Sequence, residues 1–320
     1  MSASLAMDAQ RLPGWLGLAI IAPKLSEEGI SMATANVGVI GGSGLYEIEG
    51  MSELEEVSLE TPFGRPSDTI MVGTLSGVRV AFLPRHGRGH SISPSELPAR
   101  ANVWAMKALG VTHLISISAV GSLREGFAPR DIVIPNQIID RTRGTRPATF
   151  FGEGIVAHIS FAEPYCPELR HVVYQAALEV GARAHNGGTM VVMEGPAFST
   201  KAESRFHRLI GGDLIGMTGL PEAKLAREAE ICYCTVACVT DYDCWHESEE
   251  SVTVEMIVAN LQANVSTAKG IIKVALPRIA ALPRHCECSH ALANAIITRP
   301  EVVPPARREQ LALLIGKYLK

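Results

Sequence analysis

A chain of 320 residues exceeds a minimal domain and accommodates one large α/β domain with appendages. Apolar residues make up 47% and charged residues 19%, with both signs interspersed, so a sizeable core is available and whole-chain disorder is excluded. The net charge of -4 provides no basic field for a nucleic-acid backbone, which removes nucleic acid as an expected partner.

Seven cysteines, at 166, 232, 234, 238, 244, 286 and 288, form an odd and sparse set that suits a reducing cytoplasm better than a secreted disulfide scaffold. The apolar run from Trp15 to Pro23 is about half a membrane span, and Asp8 spoils the basic flank a signal peptide needs, so neither a membrane nor a secretory role is expected. Met32 directly precedes the first strand-like segment. Residues 1–35 are therefore expected to be a poorly ordered extension or an artefact of the start site.

From Asn36 onward, short apolar runs alternate with helical spacing, which predicts a largely parallel sheet with crossover helices. Val37–Ile40 is a buried strand entering Gly41-Gly-Ser-Gly44. Val78–Leu83 is a second, ending at Pro84-Arg-His-Gly87, and His113–Ser118 a third, ending in a turn at Ala119-Val-Gly-Ser122. Pro98–Leu109 between them is helical. Gly188–Met193 leads as a strand into Glu194–Thr200, and Ala202–Leu209 is a helix. Leu214–Met217 repeats the strand-then-turn arrangement, and Pro221–Glu230 is helical. Cys232–Thr240 is a buried strand reaching Asp241–His246, and Val252–Leu276 a long amphipathic helix. In the tail, Ala291–Thr298 and Arg307–Tyr318 are predicted helices. The catalytic domain is expected over 36–283, with a helical tail over 284–320 packed on it.

Ligands of such sheets gather at the carboxyl ends of strands. Ser43 in its glycine-rich turn offers a hydroxyl among backbone N–H groups. Arg85 and His86 offer a guanidinium fork and an imidazole. Ser118 and Ala119 add a hydroxyl and an N–H, and Thr218 another hydroxyl. No magnesium-binding carboxylate stands beside them, which points to inorganic phosphate rather than a nucleoside triphosphate. Each group alone has a structural reading, as turn glycine or surface ion pair; the convergence of four strand ends is the signal. Asp241 and Asp243 flank Tyr242 at the end of an apolar strand, where carboxylates are costly unless they serve as ligands or caps. Neighbouring carboxylates also push one pKa up, which suits a proton donor.

The ordered motifs GGSGLY (41–46), PRHGRGH (84–90), SAVGSL (118–123), EGPAFST (194–200), GMTGLPEA (216–223) and TDYDCW (240–245) resemble the purine nucleoside and methylthioadenosine phosphorylases of the nucleoside phosphorylase superfamily, over about Val37 to Ile279. The resemblance implies an α/β fold in a single domain, with a central mixed sheet flanked by helices. It implies a homotrimer, or a dimer of trimers, with the active site near a subunit interface. Inorganic phosphate would be a co-substrate, held by Ser43, Arg85, His86, Ser118, Ala119 and Thr218, and no further cofactor is implied. Met217 would lie under the ribose, and Phe198 and Ser199 would line the nucleoside site. Val254, Ile257 and Val258 would wall an apolar 5' pocket, and His158 would approach it from a neighbouring subunit. The aliphatics also read as ordinary core.

Asp241 and Asp243 would address the base. The 6-oxopurine branch usually carries asparagine in this stretch, so an Asp pair reads as selection for a 6-amino purine. The implied reaction is phosphorolysis of 5'-methylthioadenosine, through an oxocarbenium-like ribosyl transition state without a covalent intermediate. The rivals are a 6-oxopurine or methylthioinosine phosphorylase, a hydrolytic nucleosidase, and a non-catalytic nucleoside-binding protein. Cys286-Glu-Cys-Ser-His290 departs from the simplest pattern. Some prokaryotic relatives suggest a disulfide there, whereas a zinc site would want a second pair of cysteines, so no metal site is expected.

Overall fold

The computed structural model describes residues 34–42, 49–246 and 254–319, with the side chains of 254–258 and 261 left out of the description. In chain order its strands are β1 (Val37–Gly41), β2 (Ser52–Val57), β3 (Ile70–Leu75), β4 (Val78–Pro84), β5 (His113–Ser122), β6 (Ile132–Ile134), β7 (Gln137–Arg141), β8 (Ala184–Asn186), β9 (Thr189–Met193), β10 (Leu214–Gly216) and β11 (Cys232–Asp241). The α-helices are α1 (Ala99–Ala108), α2 (Pro167–Glu179), α3 (Lys201–Leu209), α4 (Glu222–Glu228), α5 (Val254–Ala280), α6 (Pro305–Gln310) and α7 (Ala312–Ile315).

All these strands join one sheet, in the order β2-β3-β4-β1-β5-β10-β9-β7, with β11 pairing β5 and β6, and β6 pairing β8. β1 runs parallel to β4 and β5, and β11 parallel to β5. β3 is antiparallel to β2 and β4, and β10 antiparallel to β5, so the sheet is mixed rather than largely parallel. The hairpins explain this: two-residue connections such as Ser76-Gly77, both at positive φ, reverse the chain without a crossover helix.

Both faces of the central strands are covered, which is why β11 reads as an apolar run, whereas the edge strand β2 is exposed. Alternate residues split between the two sides. Leu114, Tyr233 and Val239 join a core with Trp104, Met106, Leu225 and Ala226 from α1 and α4. Ile115, Cys234 and Val236 join a core with Leu169 and Val173 of α2 and with Ile271, Ile272 and Leu276 of α5. Leu292, Val303, Leu311 and Leu314 of the tail lie in the first of these cores.

Three expectations need correction. β5 does not stop at Ser118 but runs on to Ser122, because β11 continues beside it as far as Gly121 and β10 joins at Gly121 and Ser122. Ala291–Thr298 is not a helix. After a 3-10 turn at Glu287–His290, Ile296 bridges to Ala157, so a tertiary contact overrides helical propensity. The last predicted helix is divided at Leu311 into α6 and α7. The short strands β2, β3, β6, β7 and β8 and the helix α2 were not anticipated.

Candidate active site

β5 is the spine of the site. Its residues His113–Ser116 pair with β1, and Gly121 and Ser122 pair with β10, so among the described residues no strand pairs with residues 117–120 on that flank. β11 lines the opposite edge throughout. Ala119 is exposed between the buried Ser118 and Val120, the one exposed position of the strand. A central strand that loses one neighbour before gaining the next opens a crevice, the place where α/β sheets bind ligands.

Ser118 and Thr218 meet in this crevice, with Oγ and Oγ1 3.0 Å apart and both residues buried. Thr218 follows β10, and Gly219, at φ +95, lets the chain turn at once into α4. His86 follows β4. Its Nδ1 lies 2.9 Å from the carbonyl oxygen of Ile92. Because a carbonyl only accepts, Nδ1 carries the proton, and Nε2 of the neutral ring is left as an acceptor. Burial, with the positive charge of Arg85, lowers the His86 pKa to about 4, although the Ile92 carbonyl opposes this.

Arg85 stands differently from expectation. It is 1% exposed, and its fork is already engaged. Nε and Nη2 face the carboxylate of Glu222, Nη1 donates to the carbonyl of Ile117 (2.9 Å), and Nη2 donates to Ser116 Oγ (2.6 Å) and to the carbonyl of Ile40 (3.3 Å). Tyr233 adds its hydroxyl to the same carboxylate at 3.3 Å. A buried guanidinium needs a charged partner and saturated donors, and Glu222 at the start of α4 supplies the charge. Arg85 thus braces β1, β5 and α4 behind the unpaired stretch of β5. Ser43 lies outside the described residues.

At the far end of the crevice, the bulge in β11 places Asp241 opposite Gly121. Asp241 accepts from Thr240 Oγ1 at 2.7 Å and from the backbone N–H of Asp243 at 2.8 Å. Asp243 opens a 3-10 turn at a positive φ of 54°, an uncommon conformation that Asp tolerates better than most residues. Its Oδ2 is buried with no hydrogen-bond partner among the described residues. Burial, reinforced by Asp241 beside it, raises the Asp243 pKa, against the lowering effect of the Ser204 and Ser199 hydroxyls. Gly121 leaves the room: a Cβ there would come within 3.0 Å of Asp241 Oδ1 and 3.4 Å of Asp243 Cβ.

The rim between these two ends is built by a network that sequence reading missed. Arg146 is buried. It donates to the carbonyls of Met217 (2.7 Å) and Leu220 (3.0 Å) and to Glu194 Oε1 (2.9 Å). Burial opposes ionisation of Glu194, but Ser95, the Arg143 N–H and Arg146 outweigh it and hold its pKa at about 2. This ion pair clamps the loop after β9 to the loop after β10, and it presses Met217 against Gly195, whose φ of +73 and bare Cα accommodate the thioether. Ser199 meets the Asp243 turn, where Cys244 Sγ donates to its carbonyl at 3.2 Å. Phe198 is 58% exposed at the edge.

The structure therefore brings Ser118, Ala119, Thr218, Met217, Ser199, Asp241 and Asp243 around β5 and its neighbouring loops, with Arg85 behind them and His86 following it after β4. His158 is elsewhere, in a segment that donates its N–H to Ala295 in the tail. Val254, Ile257 and Val258 fall on α5 where side chains are not described. Glu222, Arg146 and Glu194 could have been suspected only from the cost of burying ionic groups, and periodicity does not reveal that burial.

A family description, the phosphorylase superfamily, matches residues 36–277. S-methyl-5'-thioadenosine phosphorylase of Geobacter sulfurreducens is 56% identical over 88% of this chain and 99% of its own. Among solved structures, a methylthioadenosine phosphorylase from an antarctic soil metagenomic library superposes with a TM-score of 0.85 at 46% identity, covering 88% of this chain and 99% of that one. Methylthioadenosine phosphorylase from Schistosoma mansoni in complex with adenine gives a TM-score of 0.76 at 36% identity, over 88% and 98% of the two chains.

Proposed function

Because the chain belongs to the phosphorylase superfamily, we propose that it is a pentosyltransferase that splits 5'-methylthioadenosine with inorganic phosphate, yielding adenine and 5-methylthio-D-ribose 1-phosphate. The observation that carries this reading is the placement of two kinds of chemistry along one strand: paired hydroxyls at Ser118 and Thr218, and paired carboxylates opposite Gly121. Ser118 and Gly121 are three residues apart, about 10 Å of strand, which leaves a ribosyl group room between an anion and a purine.

Phosphate is received by the Ser118 and Thr218 hydroxyls, the Ala119 N–H and, from Ser43, the loop after β1. His86 Nε2 accepts a hydrogen bond from the hydroxyl of a hydrogen phosphate. Arg85 contributes from one layer behind by fixing Ile117 and Ser116, and its charge is largely balanced by Glu222. Met217 underlies the sugar. As the glycosidic bond lengthens, negative charge builds on the purine, and Asp243, whose pKa is raised by burial and by Asp241, is the group placed to give a proton to the departing base. Asp241 anchors the turn through the Asp243 N–H and presents the second carboxylate to a 6-amino group. The enzyme works by orientation and electrostatics, with no covalent intermediate and no cofactor beyond phosphate.

Exposed Phe198, Phe206, Leu209 and Ile210 lie on α3 and the segments flanking it, which supports a subunit interface there; in a homotrimer, or a dimer of trimers, His158 of a neighbouring subunit would close the site. No helix among the described residues is long and apolar enough to cross a membrane, and the free thiols suit the cytoplasm. The test is adenine release from 5'-methylthioadenosine with and without phosphate, against inosine as comparator. Release that needs no phosphate, or a preference for inosine, would overturn the assignment.

A further inference from the structure

We propose that Cys166, Cys232, Cys286 and Cys288 form a structural zinc site that fastens the C-terminal tail to the catalytic domain. The four residues are buried, and their Sγ atoms all lie within 4.8 Å of one another. Tetrahedral thiolate zinc, with Zn–S near about 2.3 Å, holds its sulfurs roughly 3.8 Å apart, so the thiols stand close to coordination distance already. Cys232 and Cys286 are 3.4 Å apart, far longer than a disulfide bond. A disulfide would draw sulfurs together two by two; here each sulfur has the other three as neighbours.

The cage is assembled from three remote segments. Cys166 is the N-cap of the thirteen-residue α2, where the helix dipole favours a thiolate. Its N–H donates to the carbonyl of Tyr233 at 2.8 Å, which ties the α2 start to β11 next to Cys232. Cys286 and Cys288 form the hook that the tail brings back. The Cys-x-Cys pair that lacked partners in the sequence finds them only in the fold.

A second observation points to a ligand. His113 pairs with Cys232 in the β5–β11 register, is 4% exposed, and has its Nε2 buried without a hydrogen-bond partner among the described residues. Its Nδ1 is 3.0 Å from Thr112 Oγ1. With the Thr112 hydroxyl proton turned from the Asn36 carbonyl (3.1 Å) to Nδ1, the ring proton sits on Nε2, which can then donate to a metal-bound thiolate, an outer-shell contact of the kind that tunes such sites. Arg284, two residues before Cys286, likewise has a buried Nε without a partner among the described residues, and its charge suits an anionic centre. Binding is a ligand exchange: Zn²⁺ takes four thiolates, four protons leave, and the centre carries a net charge of -2, with no change of oxidation state. Closely spaced sulfur donors select zinc or a single iron, and zinc needs no redox poise.

The experiment is metal analysis of the full chain purified without chelator, followed by removal of metal under reducing conditions and titration with zinc chloride or cobalt chloride. Expected are one zinc per chain, and on cobalt loading the visible bands and near-ultraviolet charge transfer of tetrahedral thiolate. Removal of zinc should lower the thermal midpoint by more than about 5 °C, and added zinc should restore it. Cys288→Ser and Cys166→Ser should lose the metal, while Cys238→Ser, buried but outside the cage, should keep it. If the serine variants fail to fold, the cobalt spectrum of the unsubstituted protein decides. Absence of metal with no uptake of zinc, two disulfides by mass spectrometry, iron in place of zinc, or metal retained in the serine variants would each overturn the proposal.

Discussion

Ser118 and Thr218, a hundred residues apart in the chain, hold their side-chain oxygens 3.0 Å from each other. The contact joins the middle of β5 to the loop after β10 across the flank of β5 between its pairings with β1 and β10. In such a pair one hydroxyl donates and the other accepts, so the accepting hydroxyl keeps its proton for an anion, and the donating one can turn to the anion when it binds. Phosphate contacts of this kind are worth about 1.5–3 kcal/mol each, so Ser118→Ala and Thr218→Ala should each raise the KM for phosphate by roughly 10-fold to 100-fold. The KM for the nucleoside should change little. Initial rates over a matrix of both substrates check this, and equal effects on both constants would argue against a phosphate role.

Asp243 carries the proton in the proposed reaction, and its pKa is raised by burial with Asp241 beside it. Asp243→Asn should lower kcat by about 10²–10⁴ while leaving phosphate binding intact. The raised pKa sets the direction of the pH response: the protonated acid is the active form, so activity falls as pH climbs through the raised value. The asparagine variant should lose that alkaline limb. A pH–rate profile of both proteins measures it.

The partner carboxylate governs the choice of base. Asp241→Asn exchanges an acceptor for a group that can donate to a 6-oxo purine, so the ratio of kcat/KM for adenine over hypoxanthine nucleosides should fall by at least about 10-fold. An unchanged ratio would remove the Asp pair as the source of base preference.

Arg85 and Glu222 form a buried ion pair on which β1, β5 and α4 converge. Removing one partner strands the other charge in the core, so Glu222→Ala should cost about 3–5 kcal/mol in denaturant unfolding. The doubly apolar Arg85→Met, Glu222→Leu variant should recover a large part of that stability without recovering full activity. Failure of the double variant to regain stability would show that the hydrogen bonds to Ile117 and Ser116 outweigh the charge pairing.

Glu228, at the C-terminal end of α4, accepts from the Phe150 N–H and from Thr149 Oγ1, yet burial lifts its pKa from 4.5 to about 7. A carboxyl raised in the folded state contributes stability that is complete below its unfolded pKa and lost as pH rises through the folded value. The 2.5-unit difference between 4.5 and 7 corresponds to about 3 kcal/mol, lost across that window. Glu228→Gln should flatten the dependence of unfolding free energy on pH between these limits. A variant with the same pH dependence as the parent would refute the assignment.

Long elements with strong patterning were legible before any coordinates. β11 reads as a strand because both its faces are covered, and α1 as a helix because its apolar spacing repeats with the helical turn. Short strands such as β6 and β8 were not legible, since three residues carry no period, and neither was the break at Leu311 in a segment of good helix formers. Ser118, Thr218, Asp241 and Asp243 were legible because polar residues at the ends of apolar strands stand out. Glu222, Arg146 and Glu194 were not, because each looks like an ordinary charged residue of a helix or loop until burial and partner are known.

The amino-acid sequence by itself determined the class of fold, the strand ends that bear the chemistry and the family, since hydrophobic periodicity and ordered motifs are local properties of the chain. Tertiary structure decided what those groups do to one another. Only the fold neutralises Arg85 with Glu222, leaves Asp243 Oδ2 buried beside Asp241, and closes Cys166 and Cys232 around the Cys-x-Cys hook. The reason is that charge and coordination depend on distance through space, and residues 54 or 137 positions apart come within reach only when the sheet and its helices have packed.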